Sequence, residues 1–426
     1  MRETRIEKLS DEALSTCYYR ILHKSGLTIL VHPMDGYNGV YALFGTRFGS
    51  VDRRFRLSGE KDFLTIPDGT AHFLEHKLFE GEQEDAFTSY ARTGANANAY
   101  TSFDRTCYLF SATNQIEASL EILLNFVTHP YFTDETVQKE QGIIGQEIQM
   151  YEDDPSWCVY LNLLKALYWE HPIRIDIAGT VQSIAEITPQ VLYRTYHTFY
   201  NLGNMALSVA GNIHPEEVVS LCDRLLTPSP EITIERARYE EPQDVYLKKV
   251  EKNLEVAAPL FEIGFKEAPE NDCLLKSQLE SEMLLELLFG ESSDFYQTLY
   301  REGIINATFG FEVMAGEGYF INILGGEAPD VQKVYDRVLS ELQRVRAAGL
   351  SKERFEEVRR HFYGKAVAAF NSVESTATSM LSAHFMQADA FEALRTLSSV
   401  TCEDLTRRLN RTLCGDTSAI SVVNPL

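Results

Sequence analysis

The stretch HFLEH, residues 72–76, follows the capping sequence Asp-Gly-Thr at residues 68–70 and lies in an apolar run, which predicts a helix. Residues three or four apart share a helix face, so His72, Glu75 and His76 would point the same way. Two imidazoles at this spacing can hold one zinc ion, and the carboxylate between them can activate a water molecule. The order H-x-x-E-H is the inverzincin pattern and favours a metallopeptidase. Surface or backbone-bonded core histidines would give the same pattern.

A zinc site also needs a third protein ligand and an open position for water. The segment EQGIIGQE, residues 140–147, carries Glu140 and Glu147 two helical turns apart and therefore on one face. Apolar residues between them predict that this helix is partly buried, where a carboxylate needs a cation or a hydrogen-bond donor. Ordinary surface glutamates on a helix would show the same spacing. The spacing by itself is therefore compatible with a metal ligand and with a surface glutamate.

The composition limits the class of protein and its partners. A chain of 426 residues exceeds one ordinary hydrophobic core, so two domains are expected. The net charge of −23 argues against nucleic acid or an anionic membrane surface as a partner and suits a basic or neutral substrate. The same acidity could serve solubility alone. No apolar run approaches the roughly 20 residues that a membrane span needs.

The charged start and the scattered cysteines predict a cytoplasmic location. The first residues, MRETRIEKLSDEAL, contain no apolar segment typical of a signal peptide. The seven cysteines form no C-x-x-C pair, and their odd count does not suggest a disulfide framework.

Strand and helix patterns alternate along the first half, and residues 50–69 read as a loop. Residues 227–247 contain three prolines and many charges, which is typical of a linker. We therefore expect an N-terminal domain over residues 1–226, a linker over 227–247 and a C-terminal domain over 248–426.

The second half repeats patterns of the first in the same order. The segment 256–267 matches 40–49, 287–299 matches 77–90, and 350–370 matches 132–152, at offsets of about 210–218. The repeat does not retain the candidate metal residues. At the corresponding positions the second half has the residues Glu282, Leu285, Glu286 and Lys365. The expectation is one zinc site per chain, in the first half.

Over nearly its whole length the chain resembles the pitrilysin/insulysin family, which includes the mitochondrial processing peptidases, and in particular its short bacterial members. The resemblance implies an α+β fold with two homologous α/β domains. Each would have a mixed, largely antiparallel sheet packed by helices on one side, and together they would form half of a clam shell. The implied function is a zinc-dependent endopeptidase for short or unfolded peptides.

The resemblance also implies roles for individual residues. Glu147 lies 71 residues after His76, within the interval that the family shows, so His72, His76 and Glu147 would be the zinc ligands. Glu75 would be the general base. Glu140 would support the site through a hydrogen bond to a ligand histidine.

The segment GANANAYTS, residues 94–102, resembles the family's Asn-Ala-x-Thr strand beside the metal. Its exposed edge would pair with the substrate backbone, as in β-augmentation. Asn98 and Ala99 are the matched positions, and Tyr100 occupies the variable aromatic position. A plain turn and strand would show the same residues.

One departure from the family concerns an arginine and a tyrosine, seven positions apart, that usually contact the substrate carbonyl from the other domain. Here Tyr300 stands where the arginine is expected, and Asn306 or Ala307 where the tyrosine is expected, with Arg301 one position away. A homologous inactive partner subunit could supply the pair, or this chain could use a different oxyanion donor.

Alternatives to an active peptidase therefore stay open. The chain could be a non-catalytic or partner-dependent subunit of a heterodimeric processing peptidase, or it could form a homodimer. A zinc hydrolase acting on substrates other than peptides and a zinc-free scaffold are two further interpretations.

Overall fold

The computed structural model describes residues 3–12, 14–268 and 273–426. The strands are β1 (Arg5–Asp11), β2 (Thr16–Leu22), β3 (Thr28–Pro33), β4 (Val40–Thr46), β5 (Arg54–Leu57), β6 (Leu64–Thr65), β7 (Asn96–Thr101), β8 (Thr106–Ala112), β9 (Met205–Gly211), β10 (Ile234–Arg236), β11 (Lys249–Leu254), β12 (Leu260–Glu267), β13 (Gly310–Gly316), β14 (Tyr319–Glu327) and β15 (Ser418–Pro425).

The helices are α1 (Thr70–Leu78), α2 (Ala86–Thr93), α3 (Ile116–Thr128), α4 (Asp134–Glu152), α5 (Pro155–Leu167), α6 (Val181–Ile184), α7 (Pro189–Phe199), α8 (Pro215–Leu225), α9 (Leu274–Phe289), α10 (Asp294–Arg301), α11 (Val331–Ala348), α12 (Lys352–Ala369), α13 (Val373–Phe385), α14 (Glu392–Ser399) and α15 (Cys402–Arg411). Among the helices described, none combines the length and the apolar character that a membrane span requires.

The chain forms two compact units, each made of three segments. The first unit comprises Met1–Ile148, Asp176–Ala237 and Val367–Phe391, and the second comprises Gln149–Ile175, Arg238–Ala366 and Glu392–Leu426.

The first unit is built on a seven-stranded sheet in the order β1-β2-β3-β9-β4-β8-β7. Only β3 and β9 are parallel, and the other neighbours are antiparallel. The main core lies on one face, where alternate residues of β4 such as Ala42 and Phe44 join Phe73 of α1 and Leu120 of α3. The period of two in the strand and the amphipathic face of α3 account for this arrangement.

The opposite face of this sheet is covered by α13, so β4 is buried along its whole length. A Cβ atom added at Gly45 would lie 2.9 Å from Cδ2 of Leu381 in α13, and the Ser208 hydroxyl of β9 donates a hydrogen bond of 2.7 Å to the Ala377 carbonyl. A glycine at position 45 therefore permits the close approach of this helix.

The second unit contains a five-stranded sheet in the order β11-β15-β12-β14-β13. This order corresponds to β3-β9-β4-β8-β7 of the first sheet, again with a single parallel pair, β11 and β15. The helices α9, α11, α12 and α15 contribute to a separate core. Cys158 and Val159 of α5 pack against Val423 of β15, so one helix from the first half of the sequence belongs to this unit.

The α+β fold class with two similar domains is confirmed, with one change in the layering. Helices were expected on one side of each sheet, but α13 covers the second face of the first sheet, and α5 packs on the second sheet. The domain boundaries expected at residues 226 and 248 stay a prediction. The compact units depart from that division at residues 149–175, which contain α5, and at residues 367–391, which contain α13.

The predicted linker and the predicted loop both contain ordered structure. β5 and β6 lie within residues 50–69, and β10 of the linker pairs with β5 to form a three-stranded sheet. This pairing joins residues far apart in the sequence, which local patterns do not report. Further along the linker, Glu241 accepts a hydrogen bond from Lys266 of the second unit.

Candidate metal centre

Helix α1 begins directly after Gly69, whose φ of 89° lies in the left-handed region. A Cβ atom at this position would come within 2.4 Å of the Ala178 carbonyl oxygen, so glycine suits both the conformation and the contact. The helix predicted around the HFLEH stretch is confirmed. Its inward face carries Phe73 and Leu74, and His72, Glu75 and His76 are half-buried beside them.

Helix α4 brings Glu147 to the two histidines. Glu147 Oε1 lies 3.6 Å from Nε2 of His72, and Oε2 lies 3.6 Å from Nε2 of His76. One donor atom from each residue lies within 4.8 Å of the others. Two atoms that each bind zinc at about 2.1 Å in a tetrahedral site would stand about 3.4 Å apart. The two histidine–glutamate distances therefore fit a shared zinc ion.

Glu140 is the buried carboxylate of the site and contacts the second histidine. Its Oε1 lies 2.9 Å from Nδ1 of His76. A proton on Nδ1, donated to this carboxylate, leaves the Nε2 lone pair available on the side of Glu147. Burial lowers the pKa of His76, but the Glu140 hydrogen bond and the charges of Glu75, Glu140 and Glu147 outweigh it, so the pKa is raised.

His72 has a different environment. Burial, with a smaller contribution from His76, lowers the pKa of His72 to about 3. Its Nδ1 atom is buried and has no hydrogen-bond partner among the described residues. The imidazole is therefore neutral near pH 7, which is the form that binds a metal ion.

Glu75 receives a hydrogen bond from a residue that was not among the predicted site residues. The Thr101 hydroxyl donates to Glu75 Oε2 at 2.6 Å. Burial raises the pKa of Glu75, an effect that Thr101 and His76 oppose and Glu147 reinforces. Thr101 follows Ala97 and Ala99 at a period of two in β7, so strand alternation could have indicated that it shares their core-facing side.

Asn98, Ala99 and Tyr100 lie in β7, which is the last strand of the seven-stranded sheet and pairs only with β8 among the described strands. Ala99 packs towards the core on the same face as Thr101. Tyr100 pairs with Cys107 on the other face, where burial raises the pKa of its hydroxyl. The strand that contacts Glu75 through Thr101 therefore has a free edge, and the Tyr100 side chain lies on the other face of that strand.

The second unit has no equivalent metal group among its described residues. A cavity of about 610 Å³ is bordered by Glu286, Gly310 and His361. These residues belong to α9, β13 and α12, the elements that correspond to α1, β7 and α4 of the first unit. Two more residues of the second unit correspond in sequence to candidate metal ligands of the first. Glu282 accepts a hydrogen bond from Gln278, and Lys365 lies over the Phe362 ring.

The region where the family's arginine and tyrosine were expected forms the end of α10 and the loop after it. Tyr300 is half exposed and stacks on Tyr296 with ring centroids 5.9 Å apart. The Asn306 amide donates a hydrogen bond to Glu327.

Comparison with known proteins identifies relatives of the whole chain. The model of the insulinase family, peptidase family M16, matches residues 66–181, and the model of the M16 inactive domain matches residues 186–362. The uncharacterized zinc protease YmfH of Bacillus subtilis (strain 168) is 39% identical over 428 residues, covering 99% of both chains. The crystal structure of an M16-like peptidase from Alicyclobacillus acidocaldarius has a TM-score of 0.91 and 33% identity, and the match covers 100% of this chain and 99% of that one.

A mitochondrial relative matches a smaller part of the chain. The probable mitochondrial-processing peptidase subunit beta of Schizosaccharomyces pombe (strain 972) is 30% identical over 218 residues, covering 49% of this chain and 45% of that protein.

Proposed function

Because this chain belongs to the insulinase family, peptidase family M16, we propose that it is a zinc-dependent endopeptidase that hydrolyses short or unfolded peptides. The observation that carries the proposal is the convergence of His72, His76 and Glu147, with Glu75 on the same face of α1. Relatives described as zinc proteases support a peptidase-like role and zinc as the metal.

In this proposal His72, His76 and Glu147 hold one zinc ion per chain, and Glu140 orients the His76 ring through Nδ1. When bound, zinc would polarise the scissile carbonyl and lower the pKa of a water molecule at the site. The neutral His72 and the Glu140-bonded His76 both support this assignment, since the Nε2 atom of each ring lies 3.6 Å from an oxygen of Glu147.

Glu75 is the proposed general base and acid. Its Oε2 is held by Thr101, and its Oε1 remains for the attacking water. Glu75 accepts a proton from that water and returns it to the departing amine, so the carboxylate is regenerated at the end of the reaction. The raised pKa of Glu75 supports this role, because proton transfer in both directions is most efficient when the pKa approaches the working pH.

The free edge of β7 is the proposed substrate site. A peptide that adds to this edge would form main-chain hydrogen bonds along Asn98, Ala99 and Tyr100. The contact between Thr101 of the same strand and Glu75 supports this proposal, because it brings the substrate strand next to the base.

The decisive experiment compares Glu75→Gln with Glu82→Gln, an exposed glutamate near the same helix. Glu75→Gln should retain about one zinc per chain and lose peptide cleavage by roughly 100-fold or more, because only the proton acceptor is removed. Glu82→Gln should keep both zinc and activity. A fully active Glu75→Gln protein would contradict the proposal.

A second candidate function is a partner-dependent subunit of a heterodimeric processing peptidase. The absence of the arginine–tyrosine pair from residues 299–307 favours it, because the complete site would then need groups from a homologous inactive subunit or from a second copy in a homodimer. The relative described as a processing peptidase subunit is consistent with this alternative. Activity that appears only after a homologous chain with the pair is added would favour the partner-dependent form, and full activity of a monomer would exclude it.

A cytoplasmic setting without nucleic acid or membrane partners is part of the proposal. The net charge of −23 and the free thiols of all seven cysteines support it.

A further inference from the structure

Thr101 is the last residue of the edge strand β7, and its hydroxyl has two oxygen neighbours. Glu75 Oε2 lies at 2.6 Å, and Thr106 Oγ1 of the adjacent strand lies at 3.4 Å. The short distance and the negative charge of the carboxylate both favour Glu75 as the acceptor of the Thr101 proton.

The neighbouring threonine reinforces this direction. Thr106 is fully buried, and its hydroxyl donates to the Phe48 carbonyl at 2.9 Å. With that proton engaged, Thr106 cannot donate to Thr101, and at 3.4 Å its neutral oxygen is a weaker acceptor than the Glu75 carboxylate at 2.6 Å. The pairing of Thr101 with Thr106 in the β7–β8 ladder sets the direction in which the Thr101 side chain points.

We infer that Thr101 is a positioning residue: its hydroxyl fixes one oxygen of Glu75, directs the other towards the reacting water and joins the base to the substrate strand. The inference rests on the proposed function of Glu75 and β7. A peptide paired with β7 would then lie at a fixed position relative to Glu75, because the Thr101 hydrogen bond joins the strand to this base. Thr101 itself does not touch the reacting atoms.

Two substitutions separate the hydroxyl from the shape of the side chain. Thr101→Val keeps the branched shape and removes the donor, and Thr101→Ser keeps the donor. Thr28→Val, at a half-buried threonine in β3 of the same sheet, is the control for replacing a strand threonine. Unfolding midpoints and zinc content are measured for every variant.

The first measurement does not require activity. Proteins labelled with ¹³C at the glutamate side-chain carboxyl are compared by NMR, and the Glu75 resonance is assigned by its loss in Glu75→Gln. This resonance should shift in Thr101→Val and stay near its wild-type position in Thr101→Ser and Thr28→Val. An unchanged Glu75 resonance in Thr101→Val would overturn the inference.

The second measurement is steady-state cleavage of a peptide substrate. For Thr101→Val we expect kcat to fall about 10- to 100-fold, the range for partners that orient a catalytic group, with KM changed by less than about twofold. Thr101→Ser should recover most of kcat. Equal losses in both variants, or loss of zinc in Thr101→Val, would overturn a positioning role. If Glu75→Gln is fully active, the proposed function fails, and the resonance alone decides whether Thr101 holds Glu75.

Discussion

Two histidines one helical turn apart in α1 have different supports. His76 is oriented by the buried Glu140, whereas His72 Nδ1 is buried and has no hydrogen-bond partner among the described residues. A ring that is already oriented loses less freedom when it binds an ion. The two proposed ligands should therefore respond differently when their surroundings are changed.

Glu140→Gln should lower zinc affinity by about 10- to 100-fold while the protein stays folded, because the neutral amide is a weaker acceptor for the His76 Nδ1 proton. Competition with a chromogenic chelator measures this affinity. Glu135→Gln, at an exposed glutamate near the start of the same helix, is the control and should bind zinc like the wild type. Equal affinity in Glu140→Gln would show that the contact does not support the metal.

At the scale of elements, glycines in a strand and in a helix have opposite roles. Gly45 of β4 faces α13, with Leu381 Cδ2 at 2.9 Å and Phe385 Cε2 at 3.2 Å from an added Cβ atom. Gly142 of α4 is exposed, and nothing lies within 4 Å of an added Cβ atom. The first glycine permits close packing, and the second only adds freedom to the unfolded chain.

Gly45→Ala should destabilise the first unit by about 1–3 kcal/mol through overpacking. Gly142→Ala should stabilise α4, which carries Glu140 and Glu147, by about 0.5–1 kcal/mol. Thermal unfolding midpoints, followed by circular dichroism, should therefore shift in opposite directions. Shifts of the same sign would contradict the packing described for α13 or the open surroundings of Gly142.

The edge strand β7 allows a test of backbone pairing that does not alter the protein. Successive residues of a paired strand point their N–H groups alternately towards and away from the partner strand. Peptide substrates with a single N-methyl group should therefore lose affinity only at alternate positions, with KM raised about 10-fold or more at those positions. Substrates methylated at every position in turn would be compared by kinetics, and a uniform response would argue against pairing with β7.

For the molecule as a whole, Glu241 is important because its hydrogen bonds connect the predicted linker to the rest of the second unit. Its carboxylate accepts hydrogen bonds from Lys266 Nζ at 2.6 Å and from the backbone N–H groups of residues 169–171 at 2.8 Å each. Burial raises the pKa of Glu241, but the bonds from Lys266 and the backbone outweigh it, so the pKa is lowered. A linker held in this way is part of the fold rather than a flexible connection.

Because the folded-state pKa of Glu241 lies below its ordinary value of 4.5, the ionised carboxylate stabilises the protein above pH 4.5. This contribution disappears as the pH falls through the folded-state pKa. Glu241→Gln should therefore lower the unfolding midpoint at pH 7, at a cost of about 1–3 kcal/mol. The difference from the wild type should narrow as the solution becomes more acidic. Glu240→Gln, at the exposed neighbouring residue, should have little effect on the unfolding midpoint at any pH. If the midpoint of Glu241→Gln stays below that of the wild type by the same amount at every pH, this account is contradicted.

Features that depend on local periodicity could be predicted from the amino-acid sequence. The helix around residues 72–76, the shared face of His72, Glu75 and His76, and the order of the repeated segments all follow from residues close together in the chain. The replacement of the metal residues in the second half was also readable by direct comparison of the two segments.

Local periodicity does not relate the distant groups that meet: the family resemblance implied that Glu140 and Glu147 lie near the histidines, and the remaining contacts depend on the tertiary structure. Glu140 is 64 residues from His76, and Thr101 is 26 residues from Glu75, so no helical or strand period relates them. The placement of α13 on the first sheet and α5 on the second, and the pairing of β10 with β5, likewise depend on packing between remote segments. Periodicity determines which face of an element a side chain occupies, but which element covers that face depends on how the whole core packs.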